Sequence, residues 1–156
     1  MAKEEKQGQM LQVLFSRMPN ALAILALKQF KRLEKFNEKR IKIAKFYEKA
    51  LRSLKVQLPK IKKDCRHIFL RYTIKTKKAE EITQFAKKHN IFLGDWYRPV
   101  IAPKGSDPKK VFYQLGSCPK AEKTSALSVN LPTHPRMTLE DVKRVVRTIK
   151  EFSSIS

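Results

Sequence analysis

Acidic residues are scarce in this chain. Fourteen Asp and Glu stand against 35 Lys and Arg, a net charge of +21. That excludes a charge-neutral surface and favours contact with polyanions through a summed field. Glycine is rare too, with four residues, and no glycine-rich phosphate loop is among them. Cysteine occurs twice, at Cys65 and Cys118. The two are too far apart for a CxxC pair and lack a histidine partner pattern, which excludes a zinc-type metal site. They are expected as buried thiols in a reducing compartment. Long hydrophobic runs are absent: the longest, Ala21 to Leu27, is far too short to cross a bilayer. Met1 to Gln12 has no apolar core of the length a secretory signal needs. A cytoplasmic protein with no membrane partner is therefore expected. No Ser/His/Asp order, paired-carboxylate arrangement, internal repeat or low-complexity tract stands out.

What is present is ample core material. Apolar residues make up 42% of the chain and nine of them are Phe, which argues against disorder. A length of 156 residues fits one domain burying about two-thirds of its unfolded surface. The basic residues are spread through every segment without a block of five or six like charges, the pattern of a solvated surface.

The dominant stretch runs from Arg17 to Leu54 and is expected to be one long amphipathic helix. Pro19 suits a helix start, and Asn20 has a side-chain oxygen suited to capping the free N–H groups. No Pro or Gly follows until Pro59. Ala21 to Leu27 is apolar on all sides, which implies burial all round. Phe30, Leu33, Phe36, Arg40, Ala44, Tyr47, Leu51 and Leu54 then trace one stripe in steps of three and four. Arg40 interrupts that stripe, either with its stem snorkelling to the surface or in an ion pair to another element. Residues 1 to 12 read as a loose lead-in and residues 13 to 156 as the folded domain.

Further along, His67 to Lys75 has strand alternation, with Ile68, Leu70, Tyr72 and Ile74 on one face. Ala79 to His89 reads as a helix stopped by Asn90. Trp96 to Asp107 is a proline-broken loop. Pro119 opens a short helix through Ala126, Val129 to Leu131 is extended, and Thr138 caps a final helix, Leu139 to Phe152. His67 and His89 read as ordinary strand-start and helix-end residues. The fold class expected is α+β: one long N-terminal helix, then a small mixed, mainly antiparallel sheet packed with two to three helices.

The order of these motifs carries a resemblance. Arg17-Met18-x-Asn20, Ala21-Leu22-Ala23, the Gln29-Phe30 step and Arg40-x-x-x-Ala44-x-x-Tyr47-x-x-x-Leu51 come first. The Asn90-Ile91 step and Trp96-Tyr97-Arg98-Pro99 follow, then Cys118-Pro119-x-Ala121-Glu122, Leu131-Pro132-Thr133-His134-Pro135 and Thr138-x-Glu140-Asp141-Val142. Together they resemble the small C-terminal domain of the DegT/DnrJ/EryC1/StrS sugar aminotransferases, over roughly residues 13 to 152. The resemblance implies a fold type I enzyme that uses pyridoxal phosphate to move an amino group onto a nucleotide-linked keto sugar, with a lysine forming the Schiff base.

In that family the Schiff-base lysine, the acid facing the pyridine nitrogen and most phosphate contacts lie in a large domain preceding this helix. No lysine here stands in such a context, so this chain alone is expected to hold no cofactor, no catalytic residue and no metal, and to be inactive. The family's Gly-x-Asn-Tyr-Arg turn reads Val13-Leu14-Phe15-Ser16-Arg17, with only Arg17 matching. The expected role is substrate closure and part of a dimer interface, with a large-domain chain or a homodimer partner. Val13 to Phe15 and Ala21 to Leu27 would then be left as an exposed apolar patch. The substrate-facing candidates are Asp95, Trp96, Tyr97, Arg98 and His134. Aromatics there would stack a base or sugar, and the guanidinium would pair a phosphate or carboxylate, although the same aromatics serve equally to anchor the loop. Arg17, Asn20 and Arg40 are the helix-start and interface candidates. The alternative reading is a standalone basic module binding nucleic acid or another polyanion.

Overall fold

The computed structural model describes residues 17–155, and these fall into two compact units. The expected lead-in and Val13 to Phe15 lie outside the described residues. One unit comprises residues 17–32 and 97–126, the other residues 33–96 and 127–155. Together they contain five helices and one two-stranded antiparallel sheet.

The expected single long helix is two. Helix α1 spans Asn20–Phe30 and α2 spans Leu33–Leu51. Between them the Arg32 N–H donates to the Gln29 carbonyl three residues back, at 3.0 Å. That tighter turn ends the helical ladder without a Pro or Gly. Pro19, with ψ 143°, takes the N-cap position and no side chain caps α1. Asn20 is therefore the first helical residue rather than the cap. The expectation that Ala21 to Leu27 is buried all round also fails within this chain: α1 has no buried residue, and Leu22, Ile24, Leu25 and Leu27 are each more than half exposed. A helix apolar on every side needs more than one neighbour to cover it.

In its own unit, α1 is accompanied by the loop of residues 97–118 and most of the helix Pro119–Leu127. The loop is held from within. Glu122 Oε1 accepts the Tyr113 hydroxyl at 2.7 Å and the Gly116 N–H at 2.8 Å. The tyrosine hydroxyl and then that N–H hold the Glu122 carboxyl below its ordinary value. Cys118 and Cys65 are both free and exposed, which corrects the expectation of buried thiols: each stands in a polar turn rather than on an apolar face.

The other unit holds the core. Strand β1 (Tyr72–Lys75) pairs antiparallel with β2 (Ser128–Leu131), Thr73 opposite Asn130 and Ile74 opposite Val129. Gln57 bridges Lys75 on the outer side of β1, and Gly94 bridges Asn130 on the outer side of β2. Helix α3 is Ala79–Lys88, α4 is Pro119–Leu127 and α5 is Leu139–Ile155. Both α2 and α3 pack on α5. Their apolar stripes meet Tyr72, Ile74, Val129 and Leu131 in one cluster with Ala44, Tyr47, Leu51, Ile82 and Ile149.

The strand expected over His67 to Lys75 is halved. Phe69 adopts φ 50°, a left-handed conformation that reverses the alternation. Phe69 is buried against Tyr72, with ring centroids 5.8 Å apart, while Leu70 is 62% exposed. Burial of one large ring decides against five more residues of ladder.

Two helix boundaries follow the sequence signals closely. At the end of α3, Asn90 takes φ 56°, its N–H bonds the Lys87 carbonyl and the Ile91 N–H reaches the Ala86 carbonyl at 2.9 Å. That is a Schellman ending, with Ile91 and Ala86 both in the core. At the start of α5 the Asp141 N–H donates to the Thr138 hydroxyl, and both the Thr138 N–H and its hydroxyl donate to Asp141 Oδ2 at 2.8 Å, a reciprocal cap.

Candidate functional site

Asn130 is the polar centre of the larger unit. It is 2% exposed, and the register places it beside Thr73 on the sheet face turned away from the apolar cluster. A buried amide must find partners for both of its ends. Its Oδ1 accepts the Thr73 hydroxyl at 2.8 Å, and its Nδ2 donates to the carbonyls of Gly94 and Trp96. Its backbone exchanges two hydrogen bonds of 2.8 Å with Gly94. Gly94 eases this close approach: a Cβ there would stand 3.1 Å from the Cβ of Asn130, a tight contact.

The result is a rigid seat for Trp96. The Arg71 guanidinium carbon lies 4.1 Å from the centroid of its ring, a cation–π arrangement, and the indole remains 51% exposed. An exposed aromatic face with a cation laid against it, tied down by a buried amide, suits stacking of a planar or sugar-like group and pairing of an anion.

The sequence candidates are distributed as follows. Asp95, half-buried, and Trp96 lie in this unit; Tyr97, 61% exposed, and Arg98, half-buried, lie in the other. The Tyr97 carbonyl accepts the Ser125 hydroxyl of α4. His134 is exposed on a loop that is held just before it. The Tyr47 hydroxyl donates to the Pro132 carbonyl at 2.9 Å, and the Thr133 hydroxyl donates to the Leu70 carbonyl at 3.0 Å. His134 Nδ1 accepts the Arg136 N–H at 3.2 Å, which places the neutral ring's proton on Nε2. Arg17 and Asn20 are exposed at the start of α1. Arg40 is half-buried and donates to Asn37 Oδ1 at 2.9 Å, on its own helix.

Arg71, Thr73 and Asn130 were not singled out from sequence. The available signals were Asn130 as the polar residue between Val129 and Leu131, and the Arg71/Thr73 side of the expected strand.

Pyridoxal phosphate bound as a Schiff base needs a lysine amine shielded from water and a carboxylate for the pyridine nitrogen. Among the described residues no lysine is buried; only Lys75 and Lys78 are half-buried, and no carboxylate lines the cavity they share. The described residues do not fit the cofactor. Also among them, no group of three or more His, Cys, Asp or Glu is placed to hold a metal, and no helix is long and apolar enough to cross a membrane.

Comparison with known proteins agrees with this geometry at the level of the fold. A sequence model of the DegT/DnrJ/EryC1/StrS aminotransferase family matches residues 2–150. The chain is 32% identical over 139 residues to a pleiotropic regulatory protein of Geobacillus stearothermophilus, covering 83% of this chain and 35% of that protein. It is 29% identical over 148 residues to the GDP-perosamine synthase of Escherichia coli O157:H7, covering 88% and 37%. Among solved structures, a putative sugar aminotransferase from Streptococcus pneumoniae superposes with TM-score 0.76 at 20% identity, over 89% of this chain and 36% of that one. The chain thus spans little more than a third of the length of these relatives.

Proposed function

Because the chain belongs to the DegT/DnrJ/EryC1/StrS aminotransferase family, we propose that these residues act as the C-terminal small domain of a pyridoxal-phosphate-dependent aminotransferase of the nucleotide-sugar type. The cofactor and its lysine are supplied by large-domain residues outside them, and the chemistry happens there. These residues close over the substrate and form part of the dimer interface. In this reading Trp96, backed by Arg71, offers a stacking face at the sheet edge. Asp95 and His134 are the sequence candidates in the same unit for contact with a sugar or its diphosphate.

The observation that carries this reading is α1 with Met18 just before it. Met18, Leu22, Ile24, Leu25, Leu27 and Phe30 are all between 54% and 70% exposed. An apolar helix left uncovered on all sides is expected where a neighbouring domain belongs. Covering the exposed half of these side chains is worth roughly 5 kcal/mol at ordinary transfer values. The test is to combine this chain with a family large domain bearing the Schiff-base lysine, in the presence of pyridoxal phosphate. A one-to-one complex showing a visible cofactor band and amino transfer from glutamate to a nucleotide-linked keto sugar is the expected outcome. Failure to associate, with α1 equally accessible to hydrogen exchange before and after mixing, refutes the reading.

A second reading has its own observation. Lys35, Lys39, Lys42, Lys45 and Lys49 are all exposed on α2, and steps of three and four place them on one face, opposite Ala44, Tyr47 and Leu51. A polyanion-binding module would use this stripe, with affinity for single-stranded DNA falling steeply as salt rises. No binding at moderate salt removes that alternative.

A further inference from the structure

We propose that the chain carries a second binding site, apart from the Trp96 platform, for a small phosphate monoester with an apolar body. It is a cavity of about 650 Å³ in the unit of residues 33–96 and 127–155. Four separate stretches build it: the chain leaving α2, the end of β1 leading into α3, Leu127 where α4 meets β2, and the end of α5. Its walls are apolar, made by Leu54, Val56, Ile82, Leu127 and Phe152. Lys55, Lys75, Lys77 and Lys78 are among the lining residues, and among the described residues no Asp or Glu lines it.

Each feature selects part of the ligand. A concave apolar wall of this size holds a ring or short chain rather than a bare ion. Lys55, Lys75 and Lys77, on a lining that holds no Asp or Glu, raise the local positive potential and favour a doubly charged anion, and compact ammonium groups accept a phosphate as point charges. An extended polyanion is disfavoured, since its charges are spaced along an open backbone and have no use for the apolar walls.

The position separates this cavity from the candidate substrate site. Gln57 and Lys75 belong to the outer side of β1, whereas Gly94 and Asn130 belong to the outer side of β2. Arg71 precedes the first residue of β1, and Lys75 is its last. The two sites lie at opposite edges and opposite ends of the sheet, so a ligand here leaves the Trp96 face open.

The test is a titration of the ¹⁵N-labelled full chain with 1-naphthyl phosphate, followed by amide shifts. Saturating shifts are expected at Thr76, Lys77, Leu127 and Ser153. The double variant Lys55→Gln/Lys77→Gln changes side chains at the exposed rim and keeps the dispersed spectrum of the folded chain. It is expected to weaken binding about ten-fold, while Lys35→Gln/Lys39→Gln leaves it unchanged. Neutral 1-naphthol binds at least ten-fold more weakly if the charge is recognised, and inorganic phosphate at least ten-fold more weakly if the apolar wall is. Equal affinity for inorganic phosphate, shifts confined to α1, or full affinity in the cavity variant would each overturn the assignment. So would displacement of the probe from these amides by short single-stranded DNA.

Discussion

Two tyrosines in contact at the centre of the core are expected to respond to the same substitution with opposite signs. Tyr47 and Tyr72 are 0% and 1% exposed, with ring centroids 5.4 Å apart. The Tyr47 hydroxyl donates to the Pro132 carbonyl. The Tyr72 hydroxyl has no hydrogen-bond partner among the described residues. Tyr47→Phe removes a bond worth about 1 kcal/mol net and strands a carbonyl, so a loss of about 2 kcal/mol is expected. Tyr72→Phe removes only an unpaired polar atom whose burial costs about 1–3 kcal/mol, so the variant is expected to be as stable as the parent or up to about 1 kcal/mol more stable.

For a chain of this length, 1 kcal/mol moves the melting temperature by about 3 °C. Tyr47→Phe should therefore melt about 6 °C lower and Tyr72→Phe at or slightly above the parent, both read by circular dichroism with a urea series as check. Alkaline titration gives an independent readout. Burial, then the charge of Glu48, pushes the Tyr72 phenol up to about 12; burial, then Asp141, pushes Tyr47 up as well. A raised folded pKa means that the unfolded chain releases its proton first. The contribution is intact below pH ~10, the ordinary tyrosine value, and is lost as pH rises toward about 12. Removing Tyr47 should flatten part of that alkaline decline. Equal destabilisation by the two substitutions, or a neutral Tyr47→Phe, would refute the assignment of the single anchoring bond to Tyr47.

Other outcomes follow from named contacts. Asn130→Ala breaks the ties to Thr73, Gly94 and Trp96 and should cost about 2–3 kcal/mol in urea unfolding. Trp96 is the only tryptophan in the chain, so its emission reports the seat directly, and Arg71→Met should alter that emission and its quenching by iodide with little change in stability. Gly94→Ala places a methyl 3.1 Å from the Asn130 Cβ and should destabilise by about 1 kcal/mol, seen as a lower urea midpoint. Thr138→Ala removes the α5 cap and should cost about 1 kcal/mol. The Thr138 N–H and then its hydroxyl hold the Asp141 carboxyl below its ordinary value, so the stability it lends is present above the unfolded pKa and fades as pH falls through the lower folded one. Asp141→Asn should remove that acid-side dependence. Leu22→Glu with Leu25→Glu should leave the melting of the larger unit unchanged while abolishing association with a large domain, measured by size exclusion.

Much of this chain's local structure was legible in its residues. The α5 stripe of Val142, Val145, Val146 and Ile149 is buried as its spacing demands, Thr138 and Asn90 mark helix boundaries through their own side-chain or backbone chemistry, and Pro119 opens α4. These are properties of short windows, in which each residue's partner lies within one turn. The family, too, was legible, because an ordered set of such windows identifies a fold even when each one is weak.

Tertiary structure decided the rest. Whether His67 to Lys75 stays extended depended on where the Phe69 ring could be buried, and that is set by Tyr72 and the packed helices. Whether Ala21 to Leu27 is covered depends on what surrounds it, which no helical pattern encodes. The seat of Trp96 required β2 to bring Asn130 from 34 residues away. A periodic pattern states that a face is apolar or polar; only the packed chain states what that face meets.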